Sequence, residues 1–105
     1  MKFSTVKPKV VRSPKWPTFR KKYMVGKSCA VCGSKTGLEA HHIIPVHIDP
    51  SRELDETNLM PLCESRTTIK CHLVIGHLGS YFSINPTAKE DAAYWEKKFR
   101  ERVKV

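Results

Sequence analysis

Leu38-Glu39-Ala40-His41-His42-Ile43-Ile44-Pro45 is where the chain declares its fold. The run from Leu38 to Ile44 is apolar enough for a short strand, and Pro45, which has no N–H for a ladder, ends it. Asn58-Leu59-Met60-Pro61-Leu62-Cys63 supplies a second short run, with Leu59 to Leu62 as a strand. The polar stretch from His47 to Thr57 joins the two as a loop. Beyond it, Ile69 to Leu78 reads as a short helix with Gly79 past its end. Strand, strand, helix in that order predicts a small α+β core flanked by short helices.

The flanks follow from local signals. Pro17 suits the first turn of a helix that Gly26 could end, and Phe19 and Tyr23, four apart, could share its buried face. Thr87 and Glu90 have capping-box spacing. Behind them, Ala88, Ala92, Trp95, Phe99 and Val103 form a helical apolar stripe that reads as core packing. The length of 105 residues fits one domain, with residues 1–13 as a basic extended arm and 14–105 as the folded unit.

Four cysteines punctuate this plan. Cys29-Ala-Val-Cys32-Gly33 reads as a knuckle turn, which brings two sulfurs to one side, and Cys63 and Cys71 can supply a second pair. Four thiolates suit the tetrahedral site that structural zinc prefers. Two free thiol pairs, or a redox Cys-x-x-Cys, are the alternatives. The N-terminus has lysines but no apolar leader, and no run approaches membrane-spanning length. A reducing intracellular setting is therefore expected, and there grouped cysteines favour metal over disulfide.

Charge points to the partner. Nineteen Lys and Arg stand against ten acids, for a net charge of +9. Such a field attracts polyanions, nucleic acid first, and the basic segment is not the clean amphipathic helix of a membrane-surface protein. Residues 1–28 contain no acid. Lys15, Arg20, Lys21 and Lys22 are candidate phosphate contacts, with the arm either lying on DNA or standing as a solvated tail.

Histidines occur at positions 41, 42, 47, 72 and 77. Two are adjacent at the end of a predicted strand, and two flank the predicted short helix. Hydrolysis of a phosphodiester needs a base for water, which histidine suits because its pKa lies near neutrality. It also needs a cation for the developing charge. His47 reads as a structural or solvent-facing residue.

Cys29-x-x-Cys32, Glu39 to Pro45 with its His41-His42 pair, Asn58 to Cys63, and Cys71-His72 together resemble the HNH endonucleases. They are most similar to the compact zinc-supported HNH proteins of phages and bacteria. Trp16-Pro17-x-x-Arg20 and the segment from Cys71 to Gly79 echo the entry and exit of that family, so the likeness spans roughly residues 13–95. The resemblance implies a ββα-metal core with structural zinc on Cys29, Cys32, Cys63 and Cys71. It implies DNA phosphodiester hydrolysis, nicking or cutting both strands, with His42 as general base.

It further implies that His41 and His72 hold a catalytic divalent ion (Mg2+, Mn2+, Ni2+ or Zn2+). Asn58 would hold the base histidine or brace the loop. The loop between Cys63 and Cys71 is longer than in many relatives. His77 lies five residues after His72, not four, so it is a third ligand only if the helix bends near Gly76, and otherwise packs or caps. A zinc-stabilised nucleic-acid-binding module without catalysis would share the charge and the cysteines, but has no need of His41, His42, Asn58 and His72. Specificity should be weak unless a second copy, as a homodimer, or a larger phage or restriction assembly adds contacts, because a single module covers little DNA.

Overall fold

Leu38–His42 (β1) and Leu59–Cys63 (β2) pair antiparallel, with Leu38 opposite Cys63, His41 opposite Met60 and His42 opposite Leu59. The computed structural model describes residues 12–65 and 69–103, with the side chains of 102 and 103 excepted. Most of the basic arm, the middle of the Cys63–Cys71 loop and the Val103 side chain therefore lie outside the described residues. A lone two-stranded ribbon is marginal in water, so it survives only by being covered. Leu59, Met60, Leu62 and Cys63 of β2 are all buried, whereas in β1 only His41 is.

The first strand is shorter than the expected run from Leu38 to Ile44, and the reason is Asn58. The Asn58 carbonyl accepts from the Ile43 N–H at 2.9 Å. Its side chain then takes both backbone groups of Ile44, accepting from the N–H at 2.9 Å and donating to the carbonyl at 3.0 Å. A third bond runs to the Arg52 carbonyl at 3.4 Å. The loop between the strands is thereby pinned at its two ends and its middle. Two single 3-10 turns shape it, Pro50–Arg52 and Glu56–Asn58, whose first free N–H groups are capped by the side chains of Asp49 and Asp55.

The knuckle hangs on β2. Ala30 donates to the Pro61 carbonyl at 2.9 Å, and the turn closes through Gly33 N–H to the Cys29 carbonyl at 3.0 Å, with Gly33 at φ 79. A left-handed residue there favours glycine. Helix α1, Trp16–Met24, starts with Pro17 in its first turn as expected. It contains no fully buried residue, so Phe19 and Tyr23 share only a half-buried face. Helix α2, Ala88–Val103, packs Ala88, Ala92 and Phe99 against the core. Trp95 departs from the expected stripe, being 46% exposed over an apolar groove with Val74 and Leu78. The expected Thr87–Glu90 box is replaced by an Asn85 turn. Asn85 accepts from the Thr87 N–H at 3.1 Å, and the Thr87 hydroxyl turns to Asn85 and Asp91.

The helix expected over Ile69–Leu78 contracts to one π-helical turn, His72–Gly76. It ends through Leu78 at φ 54 and Gly79 at φ 87, with the Gly79 N–H reaching back to the Leu73 carbonyl at 2.9 Å. That bond spans one residue more than the usual helix-end closure, in keeping with the wide turn it terminates. The turn sits close to the sheet at Gly76, where a Cβ would lie 3.0 Å from Leu62 Cδ1 and 3.2 Å from the His41 ring.

Asn58 is 1% exposed and satisfies two backbone groups of one residue. Leaving such groups unpaired costs about 1–3 kcal/mol each. Asn58→Ala should therefore lower stability by about 2–4 kcal/mol, read as a fall in the urea midpoint at unchanged slope. An unshifted midpoint would show that the loop holds itself.

Candidate metal centre and general base

Two groups of metal-ligating side chains converge in this fold: Cys29, Cys32, Cys63 and Cys71, and separately His41, His72 and His77. Within each group the donor atoms lie within 4.8 Å of one another.

The cysteines come from the knuckle, the end of β2 and the residue before the π turn. All four are free thiols, three of them buried. Cys32 and Cys63 sulfurs are 3.7 Å apart, and the Cys71 N–H donates to Cys63 Sγ at 3.3 Å. A hydrogen bond from Cys71 holds the Cys29 thiol below its ordinary range. Cys71 is pushed up by that same bond and by burial, and Cys32 is pushed up by burial. Four sulfurs this close can ionise together only around a cation, and the donor set fits a closed tetrahedral site.

The histidine group is assembled by the strand and the π turn. His41 is the inward residue of β1, 3% exposed. In a π-helix the backbone bond spans five residues, so residues five apart come round to the same side. The spacing of His72 and His77, awkward for an α-helix, is thus the spacing this turn requires. The His41 ring stands 4.9 Å from that of His72 and 4.8 Å from that of His77, centroid to centroid. His72 Nε2 and His41 Nδ1 are 3.0 Å apart.

The outer nitrogen of His77 has a partner of the kind that orients a metal ligand. His77 Nδ1–H donates to the Ser83 carbonyl at 3.0 Å, which leaves Nε2 with its lone pair. His72 Nδ1 faces the Glu64 carboxylate at 3.5 Å. Burial, reinforced by the neighbouring histidines, pushes His41 down to about 3 and His72 down to about 4. Both are therefore neutral at pH 7, as a ligand must be. His41 Nε2 is buried without a hydrogen-bond partner. Three convergent imidazoles, two of them (His41 and His72) carrying a buried nitrogen without a hydrogen-bond partner, fit a divalent cation.

His42 has a surround of its own. Its Nε2–H donates to the Glu53 carbonyl at 2.9 Å. A carbonyl only accepts, so the proton is on Nε2 and the lone pair is on Nδ1. The ring lies 4.6 Å from that of Trp16. Burial draws its pKa down, partly countered by the Glu53 carbonyl. Glu53, 5% exposed, then anchors the chain ahead of α1. Its carboxylate accepts from Arg12 Nε at 2.8 Å and from the Ser13 N–H at 3.0 Å, and the Arg12 guanidinium stacks on Trp16 at 5.2 Å.

Asn58 holds the loop that carries Glu53, and its side-chain bonds run to Ile44 and Arg52. Lys15, Lys21 and Lys22 are exposed along α1, while half-buried Arg20 faces Glu39 Oε2 at 3.5 Å and the Leu38 carbonyl at 3.4 Å. His47 is exposed. Glu53, Glu64 and the Ser83 carbonyl are site residues that sequence reasoning missed. A backbone carbonyl leaves no mark in a sequence, and Glu53 sits in a polar loop where any acid looks solvated. Only the position of Glu64 beside Cys63 hinted at a role.

Burial alone would raise the Glu53 carboxyl, but Arg12 and the Ser13 N–H hold it below the ordinary carboxylate range. A depressed folded pKa adds stability that is full above the unfolded value and is lost as pH falls through the folded one. The stability difference between wild type and Glu53→Gln should thus be full at pH 7 and close as pH falls below about 4.5, measured by urea unfolding. A difference that persists undiminished into acid would show that the Glu53 charge is not what anchors the segment.

Among the described residues no helix is long and apolar enough to cross a membrane. No curated protein and no solved structure matches the chain. Residues 29–75 match the family model of the HNH endonuclease, a family whose members are generally nucleases that use divalent metals. That stretch runs from the first cysteine to the penultimate residue of the π turn, and over it the chain is similar to an HNH endonuclease domain.

Proposed function

We propose that the protein is a metal-dependent DNA endonuclease, with residues 14–105 as the nuclease unit and residues 1–13 as a basic arm. The observation that carries this reading is the convergence of His41, His72 and His77 beside a fourth histidine, His42, whose tautomer a backbone carbonyl dictates. A DNA-binding module has no use for such an arrangement. Zinc on the four cysteines serves as a staple, because binding free energy at such a site becomes folding free energy.

His41, His72 and His77 would hold the catalytic cation, which when bound would supply charge stabilisation for the phosphate and the departing oxygen. His42 Nδ1 takes the proton from water as the water oxygen forms a bond to phosphorus. The opposite ester P–O bond breaks, and its oxygen leaves to be protonated from solvent. Glu53 and Trp16 keep the His42 ring in the orientation that presents Nδ1. Asn58 acts as a brace and not as a reacting group. The net charge of +9 draws the duplex in, with Lys15, Lys21 and Lys22 on phosphates and Arg20 shared with Glu39.

Elemental analysis of protein purified under reducing conditions should give about one tightly held zinc per chain, as expected for a closed four-thiolate site. Cys63→Ser should lose that zinc and much of its thermal stability. A chain that keeps its fold after complete zinc removal would sink the staple.

Incubation with supercoiled plasmid and added magnesium, manganese or nickel tests the chemistry. His42→Ala should keep zinc, fold and DNA affinity while losing cleavage by about 10²- to 10⁴-fold, the usual general-base contribution. His41→Ala should be partly rescued by raised metal concentration, and His42→Ala should not. Rescue of the second and not the first would exchange the two roles. Wild-type cutting rates in both variants would take the cutting away from these histidines, and a wild-type protein that cuts with none of the metals would leave a zinc-stabilised binding module as the better reading.

A further inference from the structure

His77 opens directly onto a loop rich in exposed apolar side chains. Leu78, Tyr81, Phe82 and Ile84 on this loop are 58%, 51%, 85% and 40% exposed. Single apolar side chains at a surface are ordinary, but four within seven positions on one loop are not. Residues 77–86, His-Leu-Gly-Ser-Tyr-Phe-Ser-Ile-Asn-Pro, contain no charged side chain other than what a histidine can carry.

The loop is also tied down. Ser80 N–H donates to the His77 carbonyl at 3.0 Å, Ser83 N–H to the Ser80 carbonyl at 2.8 Å, and Phe82 N–H to Ser80 Oγ at 3.3 Å. His77 Nδ1 bonds to the Ser83 carbonyl, and Asn85 Nδ2 donates to the Ile75 carbonyl at 2.8 Å. The same bonds that orient His77 therefore display the loop tip. The Tyr81 ring lies 5.2 Å from that of His77 and 6.0 Å from that of His72.

We propose that the Tyr81–Phe82 tip is a second DNA contact, an apolar wedge that packs against the bases of a duplex whose phosphate reaches the histidine cluster. This rests on the nuclease reading, and it specifies which part of the substrate the loop meets. The occupant follows from position and charge. A phosphate drawn to the three histidines by a chain of net charge +9 brings its flanking bases beside Tyr81. The tip carries no cation for the backbone and no acid to repel it, so what it offers is ring surface. Apolar side chains inserted at a base step partly unstack it, and aromatic contact with a base tolerates any sequence.

The test uses the full chain and duplexes carrying several 2-aminopurines along one strand, so that any binding register reports, without added divalent metal. Wild-type binding should raise the fluorescence as base steps open. Phe82→Ala should lose most of that rise and bind about tenfold more weakly. The slope of log affinity against log salt should stay unchanged, because a phenyl ring releases no counterions. Phe82→Trp should restore both signals. Phe82 is 85% exposed, so its removal leaves the core intact.

A wild-type protein that cuts plasmid without any fluorescence rise overturns the wedge and spares the nuclease reading. So does a Phe82→Ala variant that binds as tightly as wild type, or one whose loss of affinity appears only as a changed salt slope. A fluorescence rise that depends on Phe82, in a protein that leaves plasmid uncut with every added metal, upholds the wedge and removes the nuclease reading instead.

Discussion

Successive residues of a strand project to opposite faces, and β1 ends on two histidines. That alternation governs the layout of the site. His41 is buried and His42 half-buried, and the fold builds a separate surround for each ring. On the inner face the π turn brings His72 and His77 to His41. On the outer face the loop between the strands brings the Glu53 carbonyl, and the segment ahead of α1 brings Trp16. Each cover also protects a sheet too small to stand alone. Here the contacts that stabilise the fold are the contacts that orient the histidines.

The inner surround depends on close approach. Gly76 lets the π turn sit against Leu62 and the His41 ring at a distance where a Cβ would press on both. The turn is anchored at its start by Cys71 in the cysteine cluster and beyond its end by the Asn85 bond to Ile75. Cys63 and Cys71 thus couple the cysteine cluster to the histidine cluster through the end of β2 and one turn of chain. The outer surround depends on charge. Glu53 is buried and is tolerated there because Arg12 and the Ser13 N–H satisfy it. Its backbone carbonyl is then held still for His42.

The two histidine environments differ in kind, as two different tasks would require. Three imidazoles crowd together, and burial with the neighbouring histidines keeps His41 and His72 neutral, which suits ligands. One imidazole is set apart, with one nitrogen committed to a carbonyl and the other left open. Backbone carbonyls fix two of these rings: that of Ser83 for His77 and that of Glu53 for His42.

Much of this was legible in the residues alone. The order of strand, strand and helical turn, the four-cysteine group, and the pairing of His41 with His72 followed from spacing and from motif likeness, because ligand chemistry restricts residue types tightly. Local sequence also marked the start of α1 at Pro17 and the breaker at Pro45. The place of His77 was undecided, since five residues match an α-helix poorly, and only packing against His41 and Leu62 selects the wider turn. The role of Asn58 as brace or holder was equally open, as one amide can bond to anything within reach. Glu53 was silent and Trp16 was marked only by motif likeness, because their contacts with His42 lie 11 and 26 positions away. Residue types and local spacing determined which chemistry the chain can carry. Which atom of each ring is free to perform it was decided by carbonyls and rings brought from elsewhere in the chain, and that is a property of tertiary packing.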